Sequence, residues 1–128
     1  MACFWNSILN RLQEDKLFND INNNIRITPL LFTRSLKRNN KKTNNVIWQG
    51  KELTEKQKEE NLEHIKSYDE KEINNGYLCS SFDPFLFLIC ELFDISIINQ
   101  YNGTRIEYIN KIKCRYTMIL NNDKGHMW

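Results

Sequence analysis

Two side chains near opposite ends of the chain could do covalent chemistry together, Cys3 and His126. A thiolate attacks an acyl carbon far better than a thiol does, and an imidazole can take the thiol proton and later hand it to the leaving group. Cys3 precedes Trp5, Ile8, Leu9 and Leu12, whose i, i+3, i+4, i+7 spacing predicts a helix starting at or just after Cys3 and fading near Asp15. First-turn N–H groups of a helix carry partial positive charge and favour a thiolate. His126 follows a tight Lys124–Gly125 turn on a short final strand, His126 to Trp128. His64 lies in a highly charged stretch and is expected to be exposed. Cys79 in a loop, Cys90 inside an apolar helix and Cys114 at a strand start read as small apolar side chains. Taken singly, Cys3 beside Phe4 and Trp5 also suits a core position, and His126 a solvated tail.

Bringing those two residues together requires a fold in which the first helix packs across a C-terminal sheet. Thr28–Pro29 predicts a second helix, with Thr as N-cap and Pro at the first helical position. Residues 39–52 read as a polar excursion around the short apolar island Val46–Trp48, with Trp48, like Trp5, expected in the core. Thr54 to Gln57 forms a capping box that opens a charged helix to about Tyr68, with only Leu62, Ile65 and Tyr68 as an apolar stripe. Asp83–Pro84 offers another N-cap, and Phe85 to Phe93 is apolar almost all round, as a buried helix requires. Ile95–Ile98 then reads as a strand, Asn102–Gly103 as a hairpin turn, Arg105–Ile109 as the return strand and Tyr116–Leu120 as a third. Helices followed by an antiparallel meander make an α+β domain over residues 1–128, helical over about 3–93 and sheet over about 95–128.

With 128 residues the chain is one domain by length and can bury a core without staples. Hydrophobic residues make up 41% and charged residues 27%, an ordinary globular balance. A net charge of +2 argues against a dedicated nucleic-acid partner, even with the basic run Lys37 to Lys42. No apolar run is long enough to span a bilayer, and no signal peptide is visible, so a cytoplasmic setting with reduced thiols is expected. The cysteines show no metal-ligand spacing, so neither a metal nor a cofactor is expected. Abundant Asn, Lys and Ile beside a single Ala and a single Val track AT-rich codons, pointing to a large DNA virus or an AT-rich protist or bacterium.

Cys3-Phe4-Trp5-Asn6-Ser7-Ile8 resembles the nucleophile motif of the ovarian-tumour (OTU) family of cysteine proteases: a Cys, aromatic residues, then a small and an aliphatic residue on the following helix. The later element order is similar too. Asp83 to Tyr101 resembles that family's helix and strand, and Asn102 to Ile109 its hairpin. Met118–Leu120 and His126–Trp128 resemble its aliphatic strand leading to a His-plus-aromatic end. By element order the resemblance covers most of the chain, although residues 37–75 add nothing to it.

The resemblance implies a papain-like α+β core, N-terminal helices packed on a small, mostly antiparallel sheet formed by the C-terminal half. It implies a monomeric deubiquitinase that hydrolyses isopeptide bonds of ubiquitin or ubiquitin-like conjugates, in the host cytoplasm if the chain is viral. Cys3 would attack the carbonyl at the ubiquitin C-terminus, and its backbone N–H would be one oxyanion donor. His126 would hold the thiolate and protonate the leaving lysine amine. In the family a third residue often follows the His by two places, here Trp128. Either a polar orienting group comes instead from Asn121, Asn122 or Asp123, or the enzyme runs on a dyad, and Trp128 either walls the site or caps the core. The alternative is a catalytically weak or inactive module of the same shape that binds ubiquitin or another host protein.

Overall fold

The computed structural model describes residues 3–13, 15–21, 27–74, 79–123 and 126–127, without the side chains of residues 3, 21, 74, 79–82, 122–123 and 126–127. Its helices are α1 (Cys3–Leu12), α2 (Lys16–Ile21), α3 (Pro29–Arg38), α4 (Glu55–Lys66) and α5 (Cys79–Phe93). Its strands are β1 (Val46–Trp48), β2 (Lys51–Glu52), β3 (Ser96–Tyr101), β4 (Thr104–Asn110), β5 (Thr117–Asp123) and β6 (His126–Met127).

Local chemistry sets several of these boundaries. The Thr28 hydroxyl accepts from the Leu31 amide, and Pro29 occupies the first turn of α3, where a missing N–H costs nothing. Thr54 and Gln57 form a reciprocal capping box on α4, Thr54 Oγ1 accepting from Gln57 N at 3.1 Å and Gln57 Oε1 from Thr54 N at 2.8 Å. Asn102 (φ 50°) and Gly103 (φ 81°) supply the two left-handed residues of a tight hairpin joining β3 to β4.

The strands form one sheet in the order β2-β1-β4-β3-β5-β6. All neighbours are antiparallel except β3 and β5, which run parallel. Ile97, Tyr108 and Met118 lie in register and are buried, so they mark the face covered by helices. α5 crosses β1, β3 and β4 on that face, and α1 lies over β5 and β6. Between the layers Trp5 is fully buried, in edge-on contact with Phe4, Phe32 and Phe85 at 4.9, 5.9 and 5.0 Å between ring centroids. Each such aromatic pair adds about 0.5–1.5 kcal/mol beyond the area it buries.

The α+β class agrees with the expectation, but several elements differ. The helical part does not run uninterrupted over 3–93, because β1 and β2 fall within it, and the sheet is not formed by the C-terminal half alone. β1 pairs with β4, matching Val46 to Asn110 and Trp48 to Tyr108. The C-terminal strands are not a meander. With one side of β4 taken by β1 and the other by β3, the segment 111–116 passes the end of β3 and delivers β5 parallel to it. α2 was not expected at all. Trp48 is 37% exposed instead of lying in the core. Asp83 does not cap α5, which starts at Cys79 and carries Pro84 inside it; Asp83 Oδ1 instead accepts from the Tyr108 hydroxyl at 2.6 Å. The pairing of β5 extends to Asp123, three residues beyond the Leu120 end expected for that strand.

One polar node ties the N-terminal helices to the sheet. The buried Asp15 carboxylate accepts both terminal nitrogens of Arg115 at 3.0 and 2.7 Å and the Tyr116 hydroxyl at 2.6 Å. It also accepts the Leu17 amide at 2.9 Å, capping the start of α2. Arg115 Nη2 reaches on to the Phe93 carbonyl at 2.7 Å, at the end of α5. Burial pushes the Asp15 carboxyl up, but the hydrogen bonds from Arg115 and Tyr116 outweigh it and hold the group below the ordinary carboxylate value. Burial and the adjacent carboxylate raise the Tyr116 phenol, which stays protonated as the donor.

Removing one partner of such a pair strands the other, so Asp15→Ala is expected to lower unfolding free energy by about 3 kcal/mol in urea titrations. A carboxyl depressed in the folded state contributes stability that is present above its unfolded value. That contribution is lost as pH falls through the folded value. The wild-type chain should therefore lose stability below about pH 4 more steeply than Asp15→Ala does.

Candidate functional site

The helix and strand that carry the two sequence candidates are neighbours. Cys3 is the first residue of α1, and His126 is the first residue of β6, against which α1 packs. Two anchors set the direction of α1 along the sheet. Asp15, just past its C-terminal end, is held by Arg115 and Tyr116 ahead of β5. One turn back, Arg11 Nε donates to the Ile119 carbonyl in mid-strand at 3.0 Å. Moving backward along α1 thus means moving forward along β5. From Arg11 to Cys3 the helix rises about 12 Å, and from Ile119 to Asp123 the strand advances about 13 Å. This progression carries the start of α1 toward the end of β5, where β6 pairs.

Arg11 is itself held rigidly. Its Nη1 donates to the Ser7 carbonyl at 2.9 Å and the Ser7 hydroxyl at 2.6 Å, one turn earlier on α1. The guanidinium therefore joins two turns of the helix to the backbone of β5. No acidic side chain occupies the first turn of α1, so no carboxylate there opposes the positive end of the helix.

The candidate orienting residues separate by register. Asp123 pairs directly with His126, and Asn122 with Met127. Asn121 lies further back, opposite Gln100 on β3. Asp123 is thus the polar candidate whose backbone is the immediate ladder partner of His126. The side chains of Cys3, Asn122, Asp123 and His126, and all of Trp128, lie outside the described residues.

The remaining thiols and the second histidine sit elsewhere. Cys90 is fully buried in α5, with burial pushing its thiol well above the ordinary value, so it is no nucleophile. Cys114 is exposed in the connection before β5, its Sγ near the Tyr116 carbonyl at 3.3 Å. His64 is half-buried on α4, not fully exposed. Among the described residues no group of three or more His, Cys, Asp and Glu could hold a metal ion. No described helix is long and apolar enough to cross a membrane.

Sequence reasoning missed the residues that position α1. Arg11 lies on the polar side of the amphipathic α1, where neither its type nor its spacing singles it out. Asp15, a helix-capping type placed immediately before Lys16–Ile21, was the available signal for a second helix start. Comparison of the chain with models of known protein families, with curated proteins and with solved structures finds no match.

Replacing Arg11 by Leu keeps the aliphatic stem and removes the bond to β5. Amide hydrogen exchange in α1 should accelerate roughly tenfold, the expected loss of a charged hydrogen bond, while α4 exchange stays unchanged. Equal acceleration in both helices would mean that Arg11 supports the whole fold and not the seating of α1.

Proposed function

We propose that the chain is a thiol-dependent isopeptidase acting on ubiquitin or ubiquitin-like conjugates. Cys3 is its nucleophile and His126 its general base and acid. The observation that supports this best is the packing of α1, which begins at Cys3, against β6, which begins at His126. The resemblance of residues 3–8 and of the helix–hairpin–strand order to the ovarian-tumour proteases supplies the reaction class.

In this reading the helix N-terminus and His126 favour the Cys3 thiolate. Attack on the carbonyl carbon at the end of the modifier forms the C–S bond and places negative charge on oxygen, which the Cys3 backbone N–H helps to accept. His126 then delivers its proton to the lysine amine as the C–N bond breaks, and water releases the acyl group from sulfur. Asp123, across the ladder from His126, is the first choice for orienting the imidazole. Its loss would leave the ring sampling unproductive tautomers and rotamers.

The test is labelling of the full chain with ubiquitin carrying a C-terminal electrophile. A covalent adduct is expected, lost in Cys3→Ala and retained in Cys79→Ala and Cys114→Ala. His126→Ala should slow adduct formation by about 10²–10⁴, the usual yield of a positioned base. Adduct formation that survives Cys3→Ala would overturn the assignment of the nucleophile. Measurable ubiquitin binding without any adduct would replace the enzyme by a non-catalytic binding module.

If Asp123 orients His126, Asp123→Ala should lower kcat on a fluorogenic ubiquitin substrate while leaving KM within about twofold, as expected for an interaction felt in the transition state. A change confined to KM would assign Asp123 to substrate binding.

A further inference from the structure

A second feature lies at the opposite edge of the sheet from β6. Between the β1–β2 hairpin, α4 and the early turns of α5 is a pocket of about 210 Å³. That is below the roughly 300–1,000 Å³ of small-molecule sites and suits one long side chain. Its apolar walls come from Trp48, Leu53 and Phe87, and the indole of Trp48 is partly open to solvent. Two carboxylates line it, Asp83 from α5 and Glu60 from α4, and no lysine or arginine does among the described residues.

The polar groups ask for a particular occupant. Among the described residues Glu60 pairs with Lys56 alone, at 3.9 Å, with both side chains mostly exposed, a pair that solvent screens heavily. Asp83 is fixed by the Tyr108 hydroxyl at 2.6 Å, so its carboxylate is pre-positioned at the wall. Asn61 adjoins Glu60 in the lining. The wall therefore presents negative charge and an aromatic face.

We infer that this pocket seats an arginine side chain of a protein or peptide partner, its guanidinium on Asp83 and Glu60 against Trp48. A guanidinium matches carboxylates with paired donors and stacks on aromatic faces, while its methylene stem suits the Leu53 and Phe87 walls. An ammonium has the charge but not the planar face. The site is independent of the thiol reading. β1 stands four strands from β6, about 19 Å at the usual strand spacing, and covalent labelling at Cys3 does not report on it.

The test is titration of the ¹⁵N-labelled full chain with Nα-acetyl-argininamide, beside the neutral citrulline isostere and Nα-acetyl-lysinamide. Saturable shifts are expected at the Trp48 indole N–H and the Asn61 side-chain amide, with weaker binding of the lysine compound and none of citrulline. Glu60→Gln, on the exposed face of α4, and Asp83→Asn, which keeps an acceptor for Tyr108, should each weaken binding about tenfold. Trp48→Ala should weaken it further; if that variant fails to fold, Glu60→Gln carries the test. Equal affinity for citrulline, shifts centred elsewhere, or no shift up to the solubility limit would overturn the inference. Equal affinity for the lysine compound would overturn the choice of arginine.

Discussion

The Asp15 carboxylate, gripped by Arg115 and Tyr116, is the interaction on which the arrangement depends. It joins residues 100 positions apart and is almost fully withdrawn from water. A carboxylate so placed is tolerable only when every nearby donor is aimed at it, and here a guanidinium, a phenol and a backbone amide are. The same guanidinium holds the final carbonyl of α5, so one side chain registers both helical neighbourhoods against the start of β5. Arg11 repeats the device one turn further along α1. Without these anchors α1 would be an amphipathic helix held on an apolar surface by packing alone, which fixes depth better than position.

The position of α1 matters because of how β5 reaches it. Had the C-terminal strands formed a meander, β5 would sit beside β4. Instead the segment 111–116 carries the chain past β3 and starts β5 parallel to it. β6 then folds back on the outer side of β5, next to α1. The thiol at the head of α1 and the imidazole at the head of β6 belong to neighbouring elements because of this crossover and the two arginine anchors together. At the far edge, the β1–β2 hairpin does the same service for a different surface. Pairing of β1 with β4 brings Trp48 toward α4 and α5, where its indole walls a pocket instead of joining the core.

What was legible depended on the range of the cause. The Thr28–Pro29 start, the Thr54–Gln57 capping box and the Asn102–Gly103 turn rest on bonds or dihedral preferences within a few residues, and all three appear where the residues called for them. Errors came where a local signal was outweighed. Asp83–Pro84 has the chemistry of a helix start, yet α5 begins at Cys79, and Pro84, its sixth residue, forgoes an i→i−4 hydrogen bond inside the helix. Asp83 is then free to bind Tyr108, a partner 25 residues away. Val46–Trp48 is three residues long, too short for periodicity to distinguish a strand from a loop, and only its pairing with β4 makes it one. β3 is buried from Ser96 to Asn99, polar and apolar residues alike, and only its pairing with both β4 and β5 makes it central.

By itself the sequence determined the element types over most of the chain, the α+β class and the two residues whose chemistry is worth testing, because side-chain type and short spacing decide capping and turns and mark a thiol and an imidazole as candidates. Only the tertiary structure decided the strand order, the parallel pairing of β3 with β5, the anchoring of α1 through Arg11 and Asp15, and the pocket beside Trp48. Each of these joins residues tens of positions apart. Which strand edge is vacant, and which buried carboxylate meets which guanidinium, is settled by competition among all the surfaces at once, and no local pattern records its outcome.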